Sequence, residues 1–231
     1  MTNSDEPNKG GLRVLPNDAE IGADLTQFTH RGEFKRILDQ VVVAQKTGQI
    51  RSIAILSELP GEGKTFFASA LATGISEMVG SRVLIVDTAT SSSKNSLKLV
   101  HSSGVPPSPV PPGKPGEADS NSSLNSMPNS SSDTFHLHEW TDGKAEGAEY
   151  HVSSLIDHFK SVYELILFDT SAMAGTDRGS VDPVVIAHRC QASILITSAR
   201  SLATADNKRR ERIQREKLDI LGVVFNSGAL S

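Results

Sequence analysis

The chain has 231 residues, a net charge of −4 and a pI near 6.0. That length gives one domain with a sizeable core, and that charge excludes the basic footprint of a nucleic-acid partner. A single cysteine, Cys190, excludes a disulfide framework within the chain, and no apolar run approaches the ~20 residues of a membrane span. The polar start Met1-Thr-Asn-Ser-Asp-Glu-Pro is unlike a secretory signal, so a cytoplasmic protein is expected, reaching a membrane only through a partner.

Residues 1–30 are polar and unpatterned, and read as a mobile tail before a domain spanning 31–231. A helix begins near Arg31, with Phe34, Ile37, Leu38, Val41 and Val42 forming one apolar stripe. Strands are predicted at Ile53–Leu56, Val83–Val86, Leu165–Phe168, Ile194–Thr197 and Leu221–Phe225. Helices fit between them at Thr65–Val79, Ser153–Val162, Pro183–Arg189 and Ala203–Leu218. The strands are short and almost wholly apolar, as when both faces of a parallel sheet are covered. Such alternation predicts an α/β fold with ligands at the carboxyl ends of the strands. From about Ser91 to Ser132 the chain is rich in Ser, Pro, Gly and Asn. It carries too little apolar surface to offset its ordering entropy and reads as a disordered insertion. Doubling a loop costs only ~0.6 kcal/mol, so the domain tolerates a spacer; a Pro-rich docking site is the alternative.

Ser57-Glu-Leu-Pro-Gly-Glu-Gly-Lys-Thr65 joins the first strand to the helix after it. Gly61 and Gly63 lack a Cβ, which lets the backbone curl with N–H groups aimed at phosphate oxygens. The helix N-terminus adds partial positive charge. Lys64 would reach the β- and γ-phosphates and Thr65 would ligate Mg²⁺, so Pro60, Gly61, Glu62, Gly63, Lys64, Thr65 and Phe66 are the expected nucleotide contacts. The general pattern G-x-x-x-x-G-K-[ST] begins here with Glu58 in place of glycine.

Asp87 and Asp169 each end an apolar strand and are each followed by Thr. A carboxylate at such a tip faces the crevice that holds the phosphates and can bind Mg²⁺ directly or through water. Thr65, Asp87 and Asp169 are therefore the expected metal set, and Lys64, Asp87 and Asp169 the expected catalytic set. One such Asp could simply cap the next turn.

The run Ser57–Thr65 resembles the phosphate-binding motif of the bacterial tyrosine kinases of capsular and exopolysaccharide synthesis, often Ser-Glu-x-Pro-Gly-Glu-Gly-Lys-Ser/Thr. Tyr163-Glu-Leu-Ile-Leu-Phe-Asp-Thr170 is similar to their second acidic strand, and Ile220-Leu-Gly-Val-Val-Phe-Asn226 to their closing strand, which places Asn226 near adenine. The likeness spans roughly Arg31–Asn226 without the insertion. It implies a P-loop fold, Mg²⁺ with ATP, tyrosine autophosphorylation, and a membrane adaptor. With no span in the chain, the adaptor is expected to be a separate protein.

The departures are specific. The family's Asp-x-Asp-x-Arg reads Asp87-Thr-Ala89-Thr-Ser91, which removes a metal contact or a candidate base. Ser171-Ala172 replaces a Pro-Pro pair. The ring-assembly pattern Glu-x-x-Arg-x-x-Arg reads Glu33-Phe-Lys-Arg36-Ile-Leu-Asp39, and the reversed final charge weakens such a contact or changes its partner. Tyr150 and Tyr163 are the only tyrosines, so the C-terminal tyrosine cluster is missing; Tyr163, at a strand start, reads as structural. The expectation is a divergent ATP-binding regulator of polysaccharide export, with phosphoryl transfer reduced or redirected. One alternative is a partitioning or positioning ATPase that dimerises on nucleotide, although Leu59 and Pro60 stand where its signature lysine would be. Another is a degenerate interaction module, against which Gly61, Gly63, Lys64, Thr65, Asp87 and Asp169 all persist.

Other features carry less. His136 and His138 alternate on an expected strand, Phe135–His138, and share a face, but no Cys or third His lies at ligand spacing. The run from Lys208 to Lys217 interleaves bases with Glu211 and Glu216 and reads as a solvated helix face. Cys190 reads as a small core residue. Trp140, a lone aromatic, identifies no base-stacking platform.

Overall fold

A computed structural model describes residues 32–88, 132–137, 148–174, 180–198, 211 and 214–226. The described elements are α1 (Gly32–Lys46), β1 (Ser52–Ser57), α2 (Lys64–Val79), β2 (Val83–Asp87), β3 (Ser132–His136), α3 (Ala148–Phe159), β4 (Leu165–Asp169), α4 (Pro183–Arg189), β5 (Ala192–Ser198) and β6 (Ile220–Asn226). The strands form one six-stranded sheet in the order β3-β2-β4-β1-β5-β6. Every pairing is parallel. The chain works outward from β1 to β2 and β3, inserts β4, then crosses to the other side for β5 and β6. The order thus reverses about β1, where an open α/β sheet forms its crevice.

Side chains alternate across the sheet, so each strand feeds two cores. Ile53, Ile55, Val83, Ile85, Leu165 and Leu167 join the core under α1 and α2. Ala54, Leu56, Leu84, Val86, Ile166 and Phe168 join the core under α3 and α4. On α1 the stripe of Phe34, Leu38, Val41 and Val42 is buried, and Phe34 meets Phe67 of α2 edge-on at 5.8 Å. The short α4 starts cleanly because Asp182 caps it, its carboxylate accepting from the Val184 N–H at 2.9 Å, with Pro183 in the first turn. Among the described residues no helix is long and apolar enough to cross a membrane.

Several boundaries differ from the sequence reading. Helix α3 runs Ala148–Phe159 rather than Ser153–Val162. Strand β3 begins at Ser132, so Ser132 and Asp133 pair beside Val83 and Leu84 rather than ending the insertion. An edge strand needs only one partner's hydrogen bonds, which a polar stretch supplies as well as an apolar one. The tail 1–30, residues 91–131 of the insertion, Ala89, Ser91, His138 and Trp140 lie outside the described residues. So does most of the helix expected over Ala203–Leu218, of which 211 and 214–216 are helical.

Candidate functional site

The pleat decides which side chains face the loop after β1. Ser57 shares parity with Ile53 and Ile55, Asp87 with Val83 and Ile85, and Asp169 with Leu165 and Leu167. All three therefore emerge on the α2 side, beyond the last apolar layer. Helix α2 enters on that side with Lys64 and Thr65 at its first two positions.

Gly61 and Gly63 have φ of 78° and 93°, the left-handed region where a Cβ is penalised. At Gly63 a Cβ would also lie 3.0 Å from Asn226 Nδ2. Pro60 and Gly61 are exposed at the crest, while Phe66 packs against the α1–α2 core. The loop is tied down from within and from outside. Ser57 Oγ donates to the Leu59 carbonyl at 2.9 Å, and the Leu59 N–H donates to Glu62 Oε2 at 2.8 Å. Glu62, only 3% exposed, also accepts through Oε1 from the Ser198 N–H and Ser198 Oγ, each at 2.9 Å. Asn226 Nδ2 donates to the Glu62 carbonyl at 3.1 Å. Two expected nucleotide contacts, Glu62 and Asn226, are thus engaged with each other and with the ends of β5 and β6.

Lys64 is buried, and its Nζ donates to Ser57 Oγ at 2.6 Å. Burial pushes its pKa down, opposed by the negative charges of Asp169 and Glu62. Thr65 Oγ1 donates to Asp169 Oδ2 at 2.6 Å. Burial pushes the Asp169 carboxyl up to about 6, with the charge of Asp87 adding and the Thr65 hydrogen bond and Lys64 opposing. The threonines after the two aspartates act as cross-strand staples. Thr88 donates its N–H and Oγ1 to the Asp169 carbonyl at 3.1 and 3.0 Å, and Thr170 Oγ1 donates to the Ile55 carbonyl at 2.7 Å.

Asp87 and Asp169 are directly paired in the β2–β4 register, and Asp87 is paired with His136 in the β2–β3 register. His136 Nδ1 lies 3.3 Å from Asp87 Oδ2. Its alternation with Phe135, which is buried on the opposite face, was the available signal, but only strand order reveals the neighbour. Ser198 carried no local signal at all. Tyr163 is 3% exposed, and its hydroxyl donates to Asp133 Oδ2 at 2.6 Å. Cys190 lies against the α3–α4 core, where burial pushes its thiol up.

Four buried side-chain oxygens have no hydrogen-bond partner among the described residues, and three of them belong to Glu58, Asp169 and Ser171 at the crevice. An unsatisfied buried acceptor costs about 1–3 kcal/mol, so a donor or cation bound beside these oxygens would be favoured. No three His, Cys, Asp or Glu side chains among the described residues converge as a self-contained metal site. A Mg²⁺ ion held with substrate phosphates needs only one or two carboxylates, which Asp169 and Asp87 can supply.

No family profile and no curated protein matches the chain. Solved structures do. The kinase domain of VpsO is 19% identical, with 84% of this chain and 97% of that one covered at a TM-score of 0.50. The kinase domain of the Escherichia coli tyrosine kinase ETK is 16% identical, covering 78% of this chain and 68% of that one at 0.50. The chimerical protein CapA2B2 is also 16% identical, covering 85% of each chain at 0.50. At these identities the likeness carries the fold alone, a parallel α/β sheet with a glycine-rich loop after its first strand.

Proposed function

We propose that this chain binds ATP with Mg²⁺ in the loop after β1 and belongs with the bacterial tyrosine kinases of polysaccharide production, with phosphoryl transfer reduced or directed at another protein. The observation that carries the reading is the unpartnered, buried Asp169 Oδ1 beside Thr65 and Lys64. The loop backbone at Gly61–Thr65 would bind phosphate oxygens, with Glu62 contributing through its main chain because its carboxylate is tied to Ser198. Lys64, parked on Ser57, would turn its ammonium to the β- and γ-phosphates. Thr65, Asp169 and Asp87 would hold the metal, which supplies positive charge against the transferring phosphoryl. A separate membrane adaptor, and contacts between copies through the α1 helix around Glu33 and Arg36, are part of the same proposal.

Reduced or redirected transfer is supported by the tyrosines. Tyr163 is buried with its hydroxyl held by Asp133, leaving Tyr150 as the other candidate acceptor in the chain. Incubation with γ-labelled ATP and Mg²⁺, followed by peptide mapping, tests this. The expected result is nucleotide binding with little phosphotyrosine; rapid self-phosphorylation would overturn the reduced-transfer part.

A further inference from the structure

We propose that His136 is a positioning residue for Asp87, supplied by the neighbouring strand to the metal side of the crevice. The inference rests on the nucleotide reading above and deepens it. Three adjacent strands bring His136, Asp87 and Asp169 to one level by register. His136 lies opposite in parity to the buried Phe135, so it emerges on the α2 face with both carboxylates. There Nδ1 approaches Asp87 Oδ2 at 3.3 Å, with His136 about a third exposed and Asp87 half as much.

An imidazole N–H at this separation can donate to a carboxylate oxygen. Asp87 and Asp169 repel each other across the β2–β4 pair. The imidazole standing 3.3 Å from one carboxylate oxygen on the β3 side would limit how that carboxylate turns at the strand tips. The sequence places Ala89 where the related pattern has a second carboxylate, so Asp87 is the only acid that β2's tip offers. Fixing its direction therefore matters more here. Partners that orient a metal-binding carboxylate typically account for 10–100-fold in metal affinity.

The test uses the full chain and calorimetric ATP titration over a range of Mg²⁺ concentrations. His136→Ala is expected to weaken the Mg²⁺-dependent part of ATP binding by about 10-fold or more, with metal-free ATP affinity and melting temperature unchanged. His136→Asn keeps an N–H at the same number of bonds from Cβ as Nδ1 and is expected to restore most of the effect. His136→Leu replaces the alanine variant if that one fails to fold. Wild-type Mg²⁺ dependence in the variants lacking the N–H would overturn the inference and leave the nucleotide reading standing. An equal loss with and without Mg²⁺, or a loss that asparagine does not restore, would also overturn it by assigning His136 to packing. Absence of ATP binding by the unmodified chain would overturn both.

Discussion

The two sides of the crevice are built on different scales. The loop after β1 is held partly by its own sequence neighbours, Ser57 to Leu59, Leu59 to Glu62 and Lys64 to Ser57, and partly by Ser198 and Asn226 at the ends of β5 and β6. The tip of β2 is held by other strands, with Thr88 bound to Asp169 of β4 and His136 of β3 beside Asp87. A local motif can be complete on its own, whereas an acidic site assembled across strands depends on what each neighbour happens to present. The loop side keeps Gly63, Lys64 and Thr65 of its motif with Glu58 in place of the first glycine, while the acidic side combines one Asp per strand with a histidine.

Breaking the phosphate side should have the largest effect. Lys64→Ala removes charge-assisted hydrogen bonds to phosphate and is expected to lower ATP affinity by about 100-fold or more. The fold should survive, since a buried ammonium with a lowered pKa is itself costly. Equilibrium binding and a melting curve of the same sample check both halves.

Asp169→Asn separates stability from function. The unfolded carboxyl ionises near its ordinary value of 3.8 and the folded one only at about 6, so folding loses stability as pH rises across that window. At pH 7 the buried charge costs about 2–3 kcal/mol. The asparagine variant should therefore melt higher than the unmodified protein at pH 7, and no higher near pH 4. It should lose the Mg²⁺ dependence of ATP binding at the same time. Denaturation at both pH values reads the first effect; an unchanged or lowered melting point at pH 7 would contradict the burial argument.

Gly63→Ala probes the junction of the two scales, where the loop meets Asn226. A φ of 93° and a Cβ 3.0 Å from Asn226 Nδ2 predict a loss of about 1–3 kcal/mol in stability. Adding Asn226→Ala should recover the steric share and leave the backbone share, as measured by chemical denaturation of the pair. The smallest effect is expected from Tyr163→Phe, which removes one hydrogen bond to Asp133 away from the crevice. It should cost about 1–2 kcal/mol in stability and leave ATP affinity unchanged in the same titration.

The same difference of scale explains what the sequence made legible. Five apolar strands and the glycine-rich loop were readable because period, length and a nine-residue motif are local signals. Asp87 and Asp169 were placed at the crevice because each ends an apolar strand. Strand β3 was harder to bound, because three of its five residues are Ser-Asp-Thr and only pairing with Val83–Ile85 makes that part a strand. Glu62 and Asn226 were expected at the nucleotide from motif position. Their side chains meet Ser198 and the Glu62 carbonyl, partners set by strand order and separated by more than 130 residues of sequence. His136 read as half of a weak metal pair with His138, yet its neighbour in space is Asp87. Register across three parallel strands has no signature in a single sequence.

The central claim is that the crevice at β1, β2 and β4 takes ATP with Mg²⁺. Calorimetric titration of the purified chain with ATP, in the presence of Mg²⁺ and again with the metal chelated, tests it most directly. The account predicts binding that Mg²⁺ strengthens and that Lys64→Ala weakens by about 100-fold or more. No binding under either condition, from a protein that melts cooperatively, would contradict it and leave a P-loop fold whose surfaces rather than its cradle carry the function.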